Sequence, residues 1–455
     1  MVYFINMKNF LEHKYTFWLI LLAAFILRLI PALCALSDES RLFRPDSAGY
    51  LEPAHSIAQS ATFNTTRRPP GYPLLASAVY VSGLGNKTLV MIQVLISVAV
   101  CAVTAAAAET YSGKKSCGNL AAALMAGNLT AIANAPLLLS DTFFALFAAG
   151  EFLFFIRYYR RKKTADLFMC ALIAAAAVLI RPINQLFIFV LITLIFTISG
   201  MPWKTRILHA AASLLIFTAV ITPWMYRNYC AGATFDIDTN TGAMRHQNGA
   251  MLMAQINGTD FESEKQRLLA VEAETFADTE KFPDERSKEM WRRAEFRKMV
   301  LEHPFIYLSQ HFTLMILLPD APTFLENFGI TSPDRGTMGV LEKEGIFAAV
   351  THYFGKHYIV ILLCLVPLLI PAAILYAASF YQLVKIPVNW KKSFPELLFF
   401  LAFAEYYLFL PGAITAPRYQ LPALPVLCTL AACAIESMIR KKDEAVPENP
   451  AGMDV

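Results

Sequence analysis

Roughly ten stretches of this chain are apolar over lengths that reach or approach the thickness of a bilayer's hydrocarbon core, and no other feature narrows its fold as much. They run over about 16–36, 88–110, 119–137, 139–158, 165–180, 183–199, 206–223, 357–384, 395–411 and 419–438. Composition agrees. Of the 455 residues, 56% are hydrophobic and 16% charged, more apolar surface than a soluble protein can hide, so the bilayer must act as its solvent. The chain therefore reads as an all-α polytopic membrane protein. A net charge of +4 is too small to imply a nucleic-acid partner, and no basic tract interleaves with aromatics in a soluble region. The eight cysteines lie mostly within or beside apolar segments, without CxxC or Cys/His ligand spacing, which indicates neither a zinc site nor a disulfide framework. The first apolar stretch is too long for a cleavable signal and lacks a clear small-residue cleavage site, so it reads as the first anchor.

Lysine and arginine orient the segments. Lys8 and Lys14 precede the first, and alternation then gathers Lys114, Lys115, the run 157–163, Lys204, Arg206, Lys385, Lys391, Lys392, Arg440, Lys441 and Lys442 on the same side. That is the positive-inside bias, and it predicts both termini in the cytoplasm. Two long loops then fall outside. The first, about 37–87, carries an expected amphipathic helix near 50–59 and an apolar run at 71–83, too short to span and read as interfacial or re-entrant. The second, about 224–356, alone has soluble character, with charged helical stretches at 261–279 and 284–302; Met290, Ala294 and Leu301 form the expected buried stripe of the latter. The apolar stretch 303–318, bounded by Pro304 and Pro319, is either an eleventh span or an interfacial helix, and the parity of the cations favours the interface. The expected organisation is a membrane-embedded half at 1–223, the outer loop region 224–356, C-terminal spans at 357–440 and a disordered polar tail at 441–455.

This threading brings Asp46, Arg67, Arg68, Asp141, Arg181, Arg227 and Arg418 out on the one, outer side. A one-sided collection of carboxylates and guanidiniums at a membrane surface suggests chemistry on a charged, membrane-held substrate. Asp46 is placed to act as a general base on a hydroxyl or amine, although a helix cap by Asp46 or Ser47 is the simpler reading of that residue alone. Arg67 and Arg68 precede Pro69, Pro70 and Gly71; the prolines stiffen the chain and Gly71 permits a tight turn, presenting two guanidiniums suited to phosphate oxygens. Snorkelling to lipid headgroups is the competing account, and a rigid Pro-Pro-Gly is more than it needs. Asp141 opens a spanning helix, as a cap or as a second acidic group. Arg181, before Pro182, sits between two spans, where a charge is costly unless paired or wetted. Arg227 follows Trp224 and Tyr226, residues typical of an interfacial belt. Arg418 and Tyr419 lie at the outer end of the last span, among Pro417, Pro422 and Pro425.

In order, the elements Arg44-Pro45-Asp46-Ser47 with Tyr50, Arg68-Pro69-Pro70-Gly71-Tyr72-Pro73, Met91-Ile92-Gln93, Leu139-Ser140-Asp141, Arg181-Pro182, Pro223-Trp224 with Arg227-Asn228, and Arg418-Tyr419 with Pro422 and Pro425 span most of the chain. Here the sequence resembles the membrane glycosyltransferases of the GT-C fold, in the bacterial branch related to protein O-mannosyltransferases and lipid A aminoarabinose transferases. The resemblance implies a GT-C bundle of about ten or eleven transmembrane helices with two long extracytoplasmic loops, in a bacterial inner membrane. It implies inverting transfer of a sugar from a polyprenyl phosphate, undecaprenyl phosphate by default, to a protein, lipid or glycan acceptor on the extracytoplasmic face. On it Asp46 matches the catalytic base or acceptor-binding group, Arg68 the basic position holding the donor phosphate, Asp141 the acidic residue opening the fourth span, and Arg418 a basic residue near the donor. Tyr50, Arg67, Arg181, Arg227 and Tyr419 complete the expected substrate-binding set. Ser47 follows Asp46 where mannosyl-transferring members often carry glutamate, so mannose is not implied, and Asp141 stands where many relatives have glutamate. Some members use a divalent cation; no spacing here decides for or against one, and no other cofactor is implied.

The implied chemistry suits the residues. Guanidiniums at the interface stabilise charge developing on a leaving phosphate, and one carboxylate suffices because that phosphate leaves without a general acid, unlike the two-carboxylate hydrolases. The rival reading is a transporter or flippase of lipid-linked sugars. It calls for polar groups near the midplane in broken helices of matching halves, whereas these span interiors read as almost free of charge, Glu109 and Glu405 being the nearest exceptions. A non-catalytic lipid-phosphate-binding scaffold would need the arginines but not Asp46.

Overall fold

The computed structural model describes residues 10–198, 200–331, 340, 344–355, 358–386 and 390–444, and every regular element among them is helical. Five helices are long and apolar enough to cross a membrane: Thr16–Leu36, Asn86–Ser112, Asp141–Arg161, Trp203–Cys230 and Tyr358–Lys385. Shorter apolar helices at Thr164–Val178 and Phe187–Thr197, together with Trp390–Phe409 and Leu424–Glu444, complete the bundle of a multi-pass membrane protein. Lipid gives helices no hydrophobic reason to associate, so packing must come from close approach. Small residues allow it: Ala107, Ala108, Ala121, Ala148 and Ala149 are buried where Asn86–Ser112 meets Lys115–Ala126 and Asp141–Arg161. On the other flank Phe152 and Phe155 stack on Phe399, with ring centroids 5.6 and 5.1 Å apart.

The expected span 119–137 is not one helix. Lys115–Ala126 ends at Gly127, and a short helix, Leu129–Asn134, follows, its N-terminus capped by Asn128, whose side chain accepts from the Ala131 N–H at 3.0 Å. Arg28, fully buried in the first span, holds the break. Its Nη1 and Nη2 donate to the carbonyls of Ala126 and Met125 at 3.1 and 3.0 Å, and its Nε to Ser97 Oγ at 2.7 Å. A cation is suited to the carbonyls that a helix end leaves unpaired. The span interiors are therefore not free of charge. Arg28 and Glu151 are fully buried, while Glu109 and Glu405 are exposed. Replacing Arg28 with leucine is expected to destabilise the protein by about 2–4 kcal/mol, since buried carbonyls and a hydroxyl lose their partners. Thermal unfolding in detergent measures this; an unchanged transition would mean that the break holds itself.

The loops fold onto one end of the bundle. The first carries Ser47–Ser60 and Gly71–Val81 as helices, near the expected positions. In the second, Phe261–Thr275 and Glu285–Glu302 are helical, but the expected stripe on the latter is not buried. Met290 and Leu301 are exposed, Ala294 faces solvent, and the buried residue of that helix is Glu289. Ion pairs dock it instead: Arg292 to Glu272 and Arg293 to Asp236, both at 2.7 Å. The stretch 303–318 forms a six-residue helix, Pro304–Ser309, and a turn at Leu314–Leu317, far too short to span. The last helix runs to Glu444, and the remainder of the expected tail, 445–455, lies outside the described residues.

Candidate active site

Two backbone contacts bring the charged motifs together. Gly71 has no tight-turn conformation to provide; its N–H donates to the Leu179 carbonyl at 2.6 Å, and a Cβ there would lie 2.7 Å from Ile180 Cγ1. Glycine is needed because the Arg68 loop presses directly on the Arg181 turn. The Leu138 N–H donates to the Leu42 carbonyl at 3.0 Å, tying the segment before Asp141 to the segment before Asp46. Gln93 braces the same region, donating from Nε2 to the carbonyls of Ala135 and Leu137 and accepting from the Tyr72 hydroxyl.

Asp46 stands at the start of Ser47–Ser60, yet its side chain makes no capping bond. Ser47 Oγ is likewise occupied, accepting from the Arg44 N–H at 2.9 Å, so the cap reading fails for both residues. The Asp46 carboxylate instead bridges two cations: Oδ1 accepts from Arg68 Nη2 at 2.8 Å and Oδ2 from Arg418 Nη2 at 3.2 Å. Asp141 accepts from Arg181 Nη1 and lies 3.9 Å from Arg418 Nε, which is buried without a hydrogen-bond partner. Arg68 lies over the Tyr50 ring at 4.5 Å, and the absence of a side chain on Gly49 leaves room for it. Tyr50 also accepts from Ser140 Oγ at 3.0 Å, next to Asp141. Tyr419 underlies Arg181 and Arg418 at 5.2 and 5.3 Å. Three guanidiniums against two carboxylates leave one positive charge in surplus.

The two acids differ in access. The Asp46 side chain is 43% exposed and that of Asp141 8%, so Asp46 is the more open of the two. Burial pushes the Asp46 carboxyl up, but the Arg68 hydrogen bond and the charges of Arg68, Arg418 and Arg181 outweigh it and hold the carboxyl below its ordinary value. A cavity of about 210 Å³ opens beside Asp141, Arg181 and Tyr419, with Gln247, Asn248 and Tyr407 also in its wall.

Thus Asp46, Tyr50, Arg68, Asp141, Arg181, Arg418 and Tyr419 converge. Arg227 does not: its guanidinium packs on Phe63 and Trp224 and donates to the carbonyls of Phe63 and Thr65, clasping the first loop from below. Arg67 is exposed, and among the described contacts only its backbone N–H is engaged, by Thr65 Oγ1. Sequence reasoning missed Gln247 and Asn248, neutral amides in a long loop with no motif around them. It also missed Glu326, which accepts from Arg44 at 2.7 Å across 282 residues, and Asp238, docked near Arg68 by the Thr239 N–H to the Thr66 carbonyl. Burial, then Asp236, pushes the Asp238 carboxyl up to about 7, against the pull of Arg68 and Arg293. Glu151 lies beneath the cavity, accepting from Asn184 Nδ2 at 2.9 Å and from the Tyr407 hydroxyl at 2.8 Å.

This donor set does not fit a divalent cation. Both site carboxylates are already engaged by guanidiniums, whose charge would oppose a metal ion, and no cluster of three or more metal-ligating acidic, histidine or cysteine side chains occurs among the described residues.

The sequence profile of the dolichyl-phosphate-mannose-protein mannosyltransferase family matches residues 67–226, a segment that includes Arg68, Asp141 and Arg181. No curated protein matches the chain. Among solved structures, the archaeal oligosaccharyltransferase AglB from Archaeoglobus fulgidus, in complex with an inhibitory peptide and a dolichol-phosphate, is similar with a TM-score of 0.52 at 13% identity, over 97% of this chain and 53% of that one. The A. fulgidus oligosaccharyltransferase with zinc and sulfate is similar over 94% of this chain and 50% of that one, with a TM-score of 0.52 at 13% identity. The same enzyme tethered to an acceptor peptide containing the NVT sequon gives 0.51 at 14% identity, again over 94% and 50%. The chain spans about half the length of these structures. At such identity the likeness is one of fold.

Proposed function

We propose that this chain, which has the GT-C fold of the membrane glycosyltransferases, is an inverting transferase. It moves a sugar from a polyprenyl phosphate to an acceptor at the extracytoplasmic surface of a bacterial inner membrane, with both termini in the cytoplasm and undecaprenyl phosphate as the default donor lipid. The observation that carries the reading is the three-arginine, two-aspartate cluster beside a cavity: its surplus positive charge and the unpartnered Arg418 Nε suit one phosphate. The mannosyltransferase profile over Arg68, Asp141 and Arg181, and the dolichol-phosphate held by an archaeal structure, support a polyprenyl-phosphate donor.

In this reading Arg181 and Arg418 hold the donor phosphate and Arg67, exposed at the rim, helps to draw it in. The acceptor oxygen attacks the anomeric carbon on the face opposite the phosphate. As that bond forms, the bond from the carbon to the phosphate oxygen breaks; its electron pair leaves with the phosphate, where the guanidiniums stabilise it. The acceptor's proton passes to Asp46. A carboxylate held below its ordinary value takes that proton late, once bond formation has made the hydroxyl acidic. Asp141 keeps Arg181 and Arg418 in place from its buried position. Arg28 and Glu151, two ionisable groups buried inside the spans, are hydrogen-bonded to their immediate neighbours and belong to the packing of the bundle.

The test is transfer by membranes containing the protein, supplied with a panel of radiolabelled polyprenyl-phosphate sugars. Label should reach an acceptor fraction from at least one donor. Because a free aspartate titrates near 3.9 and Asp46 lies lower, its base form persists from about pH 8 down to about pH 5, and a change of rate near pH 7 should come from Asp238 beside Arg68 and vanish in Asp238→Asn. No transfer from any donor, with lipid-linked sugar crossing the bilayer in a flip assay, would establish transport instead.

A further inference from the structure

A second, larger cavity of about 760 Å³ lies beside the candidate active site, between the helix Asn248–Asn257 and the segment that follows Pro304–Ser309. Neighbouring positions of the same two segments line the two cavities. Asn248 borders the smaller one and Met251, one helical turn along, the larger; Pro411 and Ile414 border the smaller and Ala413 the larger. Each side of the groove mixes apolar and polar groups. The segment after Pro304–Ser309 contributes Gln310 together with Phe312 and Leu314, which are 74% and 78% exposed, on a stretch too short to span and apolar enough to rest in the membrane interface. Facing it, Gln255, Thr259 and Asp260 stand beside Met251, Ala254 and Phe261. Gln310 spends its Nε2 on the Met251 carbonyl and on Gln255 Oε1, at 3.2 and 2.8 Å, and its Oε1 is left without a hydrogen-bond donor.

We propose that this groove binds the acceptor, and that the acceptor is an uncharged, hydroxyl-bearing lipid such as a glycolipid. This inference rests on the transferase reading above. An apolar chain lies along Phe312 and Leu314, the head group meets Gln310 and Gln255, and a hydroxyl reaches past Asn248 towards Asp46. Charge separates this occupant from the donor. No cation lines the groove and Asp260 does, so a phosphate belongs with the arginines and a neutral head group belongs here. The exposed side chains of Phe312 and Leu314 separate it from a hydrophilic peptide, which brings no apolar chain to lay against them.

The experiment reads binding apart from chemistry. The full-length protein in phosphatidylethanolamine vesicles is photolabelled with a hexadecyl glucoside carrying a diazirine on its chain, and the labelled residues are mapped by mass spectrometry. Saturable labelling at 312–314, displaced by unlabelled hexadecyl glucoside and not by a serine- and threonine-containing peptide, is the expected result. Phe312→Ser with Leu314→Ser should raise the KM for the glucoside acceptor about tenfold or more, with the donor KM unchanged. Displacement by the peptide, unsaturable labelling, or an unaltered acceptor KM in that variant overturns the groove as a lipid site. Saturable labelling in a protein that transfers no sugar from any donor overturns the transferase reading while leaving the groove's lipid binding established.

Discussion

Replacing Asp46 with asparagine is expected to lower the rate of sugar transfer about a thousandfold while donor binding persists. Asparagine fills the same volume and keeps one oxygen for a guanidinium, but it cannot accept the acceptor's proton. The loss therefore falls on kcat. Asp141→Asn should behave differently. Asp141 is buried against Arg181 and Arg418, so its loss frees the cations that hold the phosphate, and the donor KM should rise together with any fall in kcat. Initial rates over a range of donor concentration, on vesicles carrying equal amounts of each protein, separate the two. Transfer by Asp46→Asn within about threefold of the parent would remove Asp46 from the proton transfer and turn attention to Asp141.

Much of the site was legible because its residues break rules that membrane segments otherwise keep. Asp141, Arg181 and Arg418 are charges at the edges of apolar runs, the two arginines beside prolines, and these are costly unless something pairs them; the structure pairs them with one another. Arg227 carries the same signature and is paired with backbone carbonyls instead, because two aromatic rings trap it before it can reach the cluster. Sequence cannot separate those outcomes, since each depends on where the first loop lies. Asp46 was ambiguous for a local reason. A cap needs only the next turn of its own helix, whereas the two guanidiniums that hold Asp46 come from positions 22 and 372 residues away. The bundle was legible from its apolar runs, except where a residue inside one run serves another. Arg28 lies inside the first apolar run, and its hydrogen bonds to the Met125 and Ala126 carbonyls hold the break of the 119–137 stretch at Gly127.

Glu326 is the residue whose replacement should disturb the structure most. Its carboxylate meets Arg44 at 2.7 Å with both side chains nearly buried, 7% and 9% exposed, and it also accepts from the Tyr353 hydroxyl at 3.0 Å. The helix that bears it, Ala321–Asn327, is fixed to the segment before Asp141: Asn134 Nδ2 donates to Asp320 at 2.8 Å, and Asn327 Nδ2 donates to the Ala133 carbonyl at 2.8 Å. One short helix of the second loop thus joins the strand of chain carrying Asp46 to the one carrying Asp141. Glu326→Ala leaves Arg44 as a buried charge without its carboxylate, and should destabilise the protein by about 3–5 kcal/mol, read as an earlier unfolding transition in detergent. The double variant Arg44→Met, Glu326→Leu should recover most of that loss, because it removes both charges together and keeps the volume. Its transfer rate should remain low even so. A methionine two residues before Asp46 no longer fixes the direction in which that carboxylate points, so stability and activity should part in the double variant; if both return together, the pair holds the fold and does not position the base.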